Sequence, residues 1–233
     1  MKLSKLASNI CYFFLKSNYP KIIICSSGRS GSTMLFKAVT DGIIVNKFGQ
    51  TNLKLFGRKI RQLISTFIRE FSQINDSNFL VYKSHAPFSL DGKIDLTNCL
   101  ILFVYCDPLD AAISVEEVVK KRGIEWFYEH QKNLYGKGSY EDLFTKDILN
   151  YENTIKSWLD VNEENILCID YIDLWKNENI ISNFLGFKVS LAQKFERTAK
   201  NNKRKVNHDL FEHLKKKKNY LKRNYLSSHN VER

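Results

Sequence analysis

The sequence KIIICSSGRSGSTMLFKAV, residues 21–39, decides the fold of this chain. Its apolar, β-branched residues 22–24 predict a buried strand that stops at Ser26, and a helical pattern begins at Met34. A strand, a glycine-bearing loop and a helix in this order aim backbone N–H groups and a helix N-terminus at an anion. We therefore interpret the loop as an anion-binding loop, and an ordinary Gly/Ser turn is the alternative.

The side chains of this loop suit an anion as well. Its two glycines give conformational freedom, its arginine adds a permanent charge, and its three hydroxyl residues add donors. A P-loop NTPase would carry lysine directly before the hydroxyl residue, but that position is Gly31, so the Walker pattern is not met. The candidate binding residues of the loop are Gly28, Arg29, Ser30, Gly31, Ser32 and Thr33.

Length and composition indicate that the chain forms a single globular domain over residues 1–233. The 233 residues are 43% hydrophobic, enough for a full core and too many for wholesale disorder. The net charge of +11 points to an anionic partner such as a nucleotide, a sulfated or phosphorylated substrate, a nucleic acid or an acidic membrane. Residues 1–20 are interpreted as an N-terminal helix packed on the domain, and 200–233 as a basic helical tail.

Cysteine usage and hydropathy predict where the chain resides. The five cysteines are an odd number without CxxC spacing, and four fall in or beside predicted buried strands, which suits reduced thiols rather than a disulfide framework or a zinc site. No apolar run reaches the roughly 18 residues of a membrane span, and no small-residue cleavage site follows the N-terminal apolar cluster. We expect a soluble, cytoplasmic protein without a bound metal.

Short apolar runs alternate with helical patterns along the rest of the chain. Strands are predicted at 22–25, 79–83, 100–105 and 166–169, and helices at 53–74, 108–121, 124–135, 140–160, 178–186 and 207–225. This order predicts an α/β fold with three layers, in which helices flank a mostly parallel sheet. Ligands of such folds bind beyond the carboxyl ends of the strands.

The strand predicted at 79–83 leads into VYKSHAP, residues 81–87. Lys83 and His85 are two residues apart and so lie on the same side of an extended chain. Pro87 then turns the segment away from the sheet. A histidine at this edge is a candidate general base because its ordinary pKa is near working pH, and a purely structural histidine is the alternative.

Two more polar segments follow predicted strands. CDPLDAAIS, residues 106–114, places Asp107 to N-cap a helix with Pro108 at its first position, and Ser114 about two turns further on. DYIDLW, residues 170–175, follows the last predicted strand and on its own would be a plain strand exit with two core side chains.

In combination, these segments resemble the sulfotransferases that use 3′-phosphoadenosine 5′-phosphosulfate (PAPS). A [K/R]SG[S/T]T core binds the 5′-phosphosulfate in that family and is similar to RSGST at 29–33. A K[T/S]HxP strand end carries the catalytic histidine and resembles KSHAP at 83–87. An RDPxDxxxS segment binds the 3′-phosphate and resembles residues 106–114, while YEDL and FLG segments resemble YIDL at 171–174 and FLG at 184–186.

This resemblance implies a mechanism and a donor site. His85 takes the proton of an acceptor hydroxyl or amine, and Lys83 and Arg29 stabilise the charge on the leaving oxygen, with no metal required. The implied donor-binding residues are Gly28, Arg29, Ser30, Gly31, Ser32, Thr33, Cys106, Ser114 and Tyr171. Cys106 departs from the pattern, since the family has an arginine there. The family's C-terminal RKG segment has only the charged residues 203–205 as a candidate counterpart.

The acceptor and two other functions stay open at this point. The loop arginine resembles carbohydrate sulfotransferases, and KSHAP resembles the enzymes for small alcohols and phenols, so a small molecule or a carbohydrate is expected. The 53–74 helix and the aromatic segment 124–140, which includes Trp126, are candidates for acceptor walls or for core. The alternative functions are a non-catalytic nucleotide- or polyanion-binding family member and a nucleotide-dependent kinase, against which the missing Walker lysine counts.

The basic tail has two interpretations. Its leucines share one helical face, which predicts a terminal helix docked by that face with its lysines in solvent. The alternative is a weak electrostatic contact with an acidic polymer or a membrane. No specific nucleic-acid partner is predicted.

Overall fold

The central sheet of the protein has five parallel strands in the order β2–β3–β1–β4–β5. The computed structural model describes residues 19–75, 77–88, 96, 98–194 and 207–228, with side chains up to 220. The strands are β1 (Lys21–Ser26), β2 (Ser65–Phe67), β3 (Val81–Ser84), β4 (Cys99–Tyr105) and β5 (Ile166–Asp170). The predicted N-terminal helix, Cys11 and residues 203–205 lie outside the described residues.

Helices cover both faces of this sheet. They are α1 (Ser32–Ile64), α2 (Pro108–Arg122), α3 (Ile124–Asn133), α4 (Tyr151–Leu159), α5 (Glu178–Leu185) and α6 (His208–Ser228). Gly49 interrupts α1 with a φ of 81° and a ψ of 164°, so α1 consists of two helical pieces. Among the described helices, none combines the length and the apolar character that a membrane crossing requires.

Successive residues of the inner strands point into two different cores. Ile22 and Ile24 pack on one face of the sheet with residues of α1 and α5, whereas Ile23 and Cys25 pack on the other face with residues of α2, α3, α4 and α6. Strands that are buried on both faces are typical of parallel sheets. The predicted three-layer α/β fold and its four predicted strands are therefore confirmed.

The helix predicted over 53–74 is wrong in its second half. Helix α1 ends at Ile64, and β2 follows at once, pairing in parallel with β3. The hydroxyl and the backbone N–H of Ser65 both donate to the Arg61 carbonyl and close the helix. The apolar spacing here suits a helix, but pairing with the edge of the sheet overrides the local pattern, which no local propensity could reveal.

The helix predicted over 140–160 is wrong in its first half. Tyr140–Asp142 forms a single 3₁₀ turn, and α4 begins only at Tyr151. Asn150 adopts a left-handed φ of 55°, which a continuous helix cannot contain. The Asp147 carboxylate accepts the N–H groups of Tyr151 and Glu152, each at 2.9 Å, and so satisfies the first turn of α4 from outside.

Strand order positions the candidate site. β1 and β4 are neighbours in the sheet, but the chain leaves β1 towards β2 and β3 on one side and leaves β4 towards β5 on the other side. The loops that follow β1 and β4 therefore run in opposite directions. The crevice at such a point of divergence is where open parallel sheets bind ligands. The segments after β1, β3, β4 and β5 all begin at this carboxyl edge.

Candidate active site

The loop between β1 and α1 has three residues in the left-handed conformation. Gly28 and Gly31 each have a φ of 81°, and Arg29 has a φ of 52°. A Cβ at Gly31 would lie 2.6 Å from Cε2 of Tyr171, so both conformation and space require glycine there. The Gly31 carbonyl accepts the N–H of Met34 at 3.0 Å, and α1 therefore starts directly at the end of the loop.

His85 is buried at the end of β3, and Ser26 holds its ring. Its Nδ1 lies 2.8 Å from Oγ of Ser26 and 3.2 Å from the Ser26 carbonyl oxygen. A carbonyl oxygen can only accept, so Nδ1 carries the ring proton and donates it to Ser26. The lone pair of the neutral ring is then on Nε2, which makes Nε2 the basic nitrogen.

The charged groups of Lys83, in β3, and Arg29, in the loop itself, are each held by a hydrogen bond to a hydroxyl group. The Lys83 ammonium donates to Oγ1 of Thr33, at the start of α1, over 2.7 Å. The Arg29 guanidinium donates from Nε to Oγ of Ser114 in α2 over 3.0 Å, and its Cζ lies 5.9 Å from the centre of the Trp126 ring. The predicted convergence of the segments after β1, β3 and β4 is therefore present in the structure.

A cavity of about 670 Å³ opens among these segments. Three of the described residues that line it are cationic, and none of these lining residues carries a carboxylate. The lining comprises Arg29, Gly31, Ser32, Thr33, Met34, Lys83, His85, Val118, Arg122, Trp126, His130 and Tyr171.

Burial and mutual repulsion set the protonation of the two groups at the end of β3. Burial, together with the nearby Arg29 charge, lowers the pKa of Lys83 to about 8, so the ammonium form still dominates at neutral pH. Burial and the Lys83 and Arg29 charges lower the pKa of His85 to about 4, although its hydrogen bond to the Ser26 backbone acts in the opposite direction. At neutral pH, His85 is therefore uncharged and can accept a proton, while the neighbouring Lys83 is positively charged.

The sequence-predicted site residues divide into two groups in the structure. Arg29, Gly31, Ser32, Thr33, Lys83, His85 and Tyr171 line the cavity, and Gly28, Ser30, Cys106 and Ser114 support that lining. The Ser30 hydroxyl donates to the Val104 carbonyl at 2.8 Å and ties the loop to β4. The Cys106 sulfur lies 3.9 Å from the Gly28 carbonyl oxygen, behind the loop. Asp107 caps α2 as predicted, accepting the Leu109 N–H at 2.9 Å.

Sequence reasoning missed several residues of the cavity wall. Met34, Val118 and Arg122 stood out in no motif, and His130 lies in an aromatic segment that could equally have been core. The available signal was spacing, since Trp126 and His130 are four residues apart on α3 and therefore share a face. Their rings stack with centroids 4.7 Å apart.

The prediction that the lysines of the tail are solvated is wrong for Lys218. Helix α6 docks with Leu214 buried, as predicted for its apolar face, and Phe211, which that prediction did not include, is buried as well. Lys218 is also buried, however, and its Nζ lies 3.2 Å from a carboxylate oxygen of Asp170, at the end of β5. Because Asp170 directly precedes Tyr171, this ion pair ties α6 to the edge of the cavity.

The described residues also show the surroundings of four of the five cysteines. Cys25, Cys99, Cys106 and Cys168 are buried, as predicted, and these four form no disulfide with one another. Within the described ranges, no group of three or more histidine, cysteine or acidic side chains is arranged to hold a metal ion.

Three solved structures resemble this chain at low similarity. Retinol dehydratase in complex with androsterone and inactive cofactor PAP has a TM-score of 0.42 at 15% identity, covering 91% of this chain and 82% of that chain. The complex of retinol dehydratase with retinol and PAP has a TM-score of 0.43 at 16% identity, covering 91% and 83%. A sulfotransferase from Alicyclobacillus acidocaldarius has a TM-score of 0.42 at 15% identity, covering 89% and 94%.

Sequence families give a more decisive comparison. No curated protein sequence matches the chain significantly. Residues 19–232, however, match the family model of the sulfotransferase domain, and this range spans the sheet, the loop between β1 and α1, and helix α6. This chain therefore belongs to the sulfotransferase domain family and is an enzyme of that family.

Proposed function

We propose that the protein transfers the sulfuryl group of PAPS to a hydroxyl or amine of a small-molecule or carbohydrate acceptor. One observation carries this proposal: the neutral His85 ring, the Lys83 ammonium and the Arg29 guanidinium border the same cavity beside an anion-binding loop. A base is thus available for the acceptor, and positive charge is available for a leaving phosphate.

His85 acts on the acceptor in this mechanism. Its Nε2 takes the proton of the acceptor hydroxyl or amine as the acceptor atom forms a bond to the donor sulfur. The bond between that sulfur and the bridging oxygen of the donor breaks, and its electron pair stays on the departing 5′-phosphate of adenosine 3′,5′-bisphosphate (PAP). The proton that His85 now carries passes to solvent after the products leave.

Lys83, Arg29 and the loop stabilise the negative charge that develops on the bridging oxygen. The N–H groups at the start of α1 and the Thr33 hydroxyl add dipoles on the same side. These groups are already fixed by hydrogen bonds before reaction, so little reorganisation is needed as the charge moves. We propose that Lys83, Arg29 and these dipoles stabilise the charge without a metal.

Arg29 also bears on the departure from the family pattern at Cys106. Its guanidinium is bonded to Ser114, in the segment that resembles the binding site of the 3′-phosphate. The loop cation therefore holds Ser114, although Cys106 contributes no charge to this segment.

The four buried cysteines, which form no disulfide, support our further proposal of a reducing, cytoplasmic setting.

Transfer of label tests the proposed activity directly. The protein is incubated with PAPS labelled in the sulfuryl group and with a panel of phenols, aliphatic alcohols, amines and sugars, with and without EDTA. We expect a labelled product that does not depend on divalent metal. Absence of transfer together with tight PAP binding would support the non-catalytic alternative, and EDTA-sensitive use of ATP would support a kinase.

The pH dependence of donor use is expected to follow Lys83. Because the Lys83 pKa is lowered to about 8, kcat/KM for PAPS should fall above pH 8 as the ammonium loses its proton. The Lys83→Arg variant keeps its charge at high pH, and its decline should move to clearly higher pH. Rate profiles of both proteins between about pH 6 and 10 measure this. A decline at the same pH in both would remove Lys83 from donor binding.

A further inference from the structure

Arg122 is a cation of the cavity wall that the proposed mechanism does not use. It is the last residue of α2 and lines the cavity, and helix α3, which follows, supplies Trp126 to the same wall. Gly123, with a φ of 86°, turns the chain between the two helices, and its N–H donates to the Val119 carbonyl at 2.8 Å. The backbone therefore fixes Arg122 where two lining helices meet.

The position of Arg122 along α2 places it on the cavity side of that helix. Ser114, Val118 and Arg122 are spaced by four residues, so they follow one side of the helix. Ser114 accepts the bond from the Arg29 guanidinium, and both Val118 and Arg122 line the cavity. Eight residues correspond to about 12 Å along a helix axis, so Arg122 lies two turns beyond the serine of the segment that resembles the 3′-phosphate site.

The side chain of Arg122 has no partner in the part of the chain that the structure describes. It forms no ion pair or hydrogen bond with a described residue, whereas Lys120 in the same turn pairs with Glu116 at 2.9 Å. Lys83 and Arg29 each bond to a hydroxyl group and are assigned to the donor. Since no described lining residue carries a carboxylate either, Arg122 is a cation that neither this wall nor the proposed donor contacts employ.

We infer that Arg122 binds an oxyanion of the acceptor, so that the enzyme selects hydroxyl or amine acceptors that also carry a carboxylate or a sulfate. This inference rests on the proposed function. A guanidinium is always charged, and its paired N–H donors match the oxygens of a carboxylate or of a phosphate-like group. Because Arg122 is exposed and His85 is buried, the oxyanion is bound where the cavity meets solvent, while the reacting hydroxyl or amine lies deeper.

Other lining residues suit the body of such an acceptor. Val118 and the Trp126 ring, which stacks on His130 with centroids 4.7 Å apart, add apolar and aromatic surface to the wall. Hydroxylated aromatic acids combine a reactive hydroxyl, an oxyanion and a ring that packs on aromatic side chains. Acidic sugars carry the same polar groups, and both kinds of molecule are therefore suitable probes.

Binding to the protein saturated with PAP tests this selectivity without requiring turnover. Calorimetry compares 4-hydroxyphenylacetate with its methyl ester, D-glucuronate with D-glucose, and D-glucose 6-sulfate with D-glucose. The anionic member of at least one pair is expected to bind about tenfold more tightly, which is at the lower end for a hydrogen bond to a charged group. A preference in the carboxylate pairs supports the inference with a carboxylate as the ligand, and one in the sulfate pair supports it with a sulfate.

Variants of α2 assign the preference to Arg122. In Arg122→Gln the ratio of the two affinities should fall towards one, because only the anionic member loses a contact. In Arg122→Glu the preference should reverse, so that tyramine binds more tightly than 4-hydroxyphenylacetate. Lys121→Gln is the matched control, since it removes an exposed charge from the same helix end that does not line the cavity, and it should keep the wild-type ratio.

The possible failures are distinguishable. Thermal unfolding establishes that the variants are folded. Equal binding of both members of every pair, a ratio that Arg122→Gln leaves intact or that Lys121→Gln lowers equally, or binding of no probe to the PAP-saturated protein would overturn the inference. Loss of PAP affinity in Arg122→Gln would overturn it too, because the arginine would then serve the donor. Failure of the wild-type protein to bind PAP would instead overturn the proposed function.

Discussion

Replacement of His85 by alanine is expected to lower kcat for sulfuryl transfer by about 10²–10⁴, the usual contribution of a general base. The neutral His85 ring contributes no charge to the donor site, so the affinity for PAP should be almost unchanged. The variant therefore separates catalysis from binding. Single-turnover transfer measures the first effect, and calorimetric titration with PAP measures the second.

His208→Ala is the matched control for His85→Ala. His208 is exposed at the start of α6, away from the cavity lining, and its removal should leave kcat unchanged. If His85→Ala retained full activity, His85 would not be the base. If it lost PAP affinity along with activity, the histidine would serve chiefly to shape the loop through its bonds to Ser26.

Replacement of Lys218 by methionine is expected to lower the free energy of unfolding by about 3–5 kcal/mol, the usual cost of breaking a buried ion pair. Lys218 and Asp170 have side chains that are only 8% and 5% exposed. Methionine fills much of the lysine volume but removes the ammonium group that lies 3.2 Å from the buried Asp170 carboxylate. Chemical denaturation at neutral pH measures this loss.

Two further variants isolate the charge as the cause. Lys216→Met removes an exposed lysine of the same helix and should change stability by less than about 0.5 kcal/mol. The double variant Lys218→Met with Asp170→Asn removes both charges of the pair, and it should recover much of the loss, because asparagine keeps an oxygen for the Ile172 N–H. Equal stability of Lys218→Met and Lys216→Met would contradict the account.

Local sequence signals are sufficient for the centre of the fold. The apolar residues of β1, the glycines of the loop and the start of α1 follow each other along the chain, so their structure depends on neighbours in sequence. The same holds for the cap of α2, because Asp107 accepts the N–H of Leu109 and Pro108 occupies the first helical position, both within the same short segment. Because ligands bind at the carboxyl edge of parallel strands, the sequence alone also predicts that Arg29, Lys83 and His85 meet there.

Features that depend on distant contacts could not be predicted in this way. The residues of β2 follow a helical pattern, but they form a strand because they pair with the edge of β3. Lys218 looks like one member of a solvated basic run, and only its meeting with Asp170, 48 residues away, makes it a buried partner. The unsatisfied nitrogen of His130 cannot be predicted from the sequence either, because it depends on which hydrogen-bonding groups the fold places near that atom.

Calorimetric titration with PAP, 5′-AMP and ATP plus Mg²⁺ tests the central claim most directly, because all three share an adenosine and differ in the number and position of their phosphates. Our account predicts tight binding of PAP, weaker binding of 5′-AMP, which lacks the 3′-phosphate that we propose Ser114 binds, and no preference for ATP. Tighter binding of ATP with Mg²⁺ than of PAP, or binding of none of the three, would contradict it.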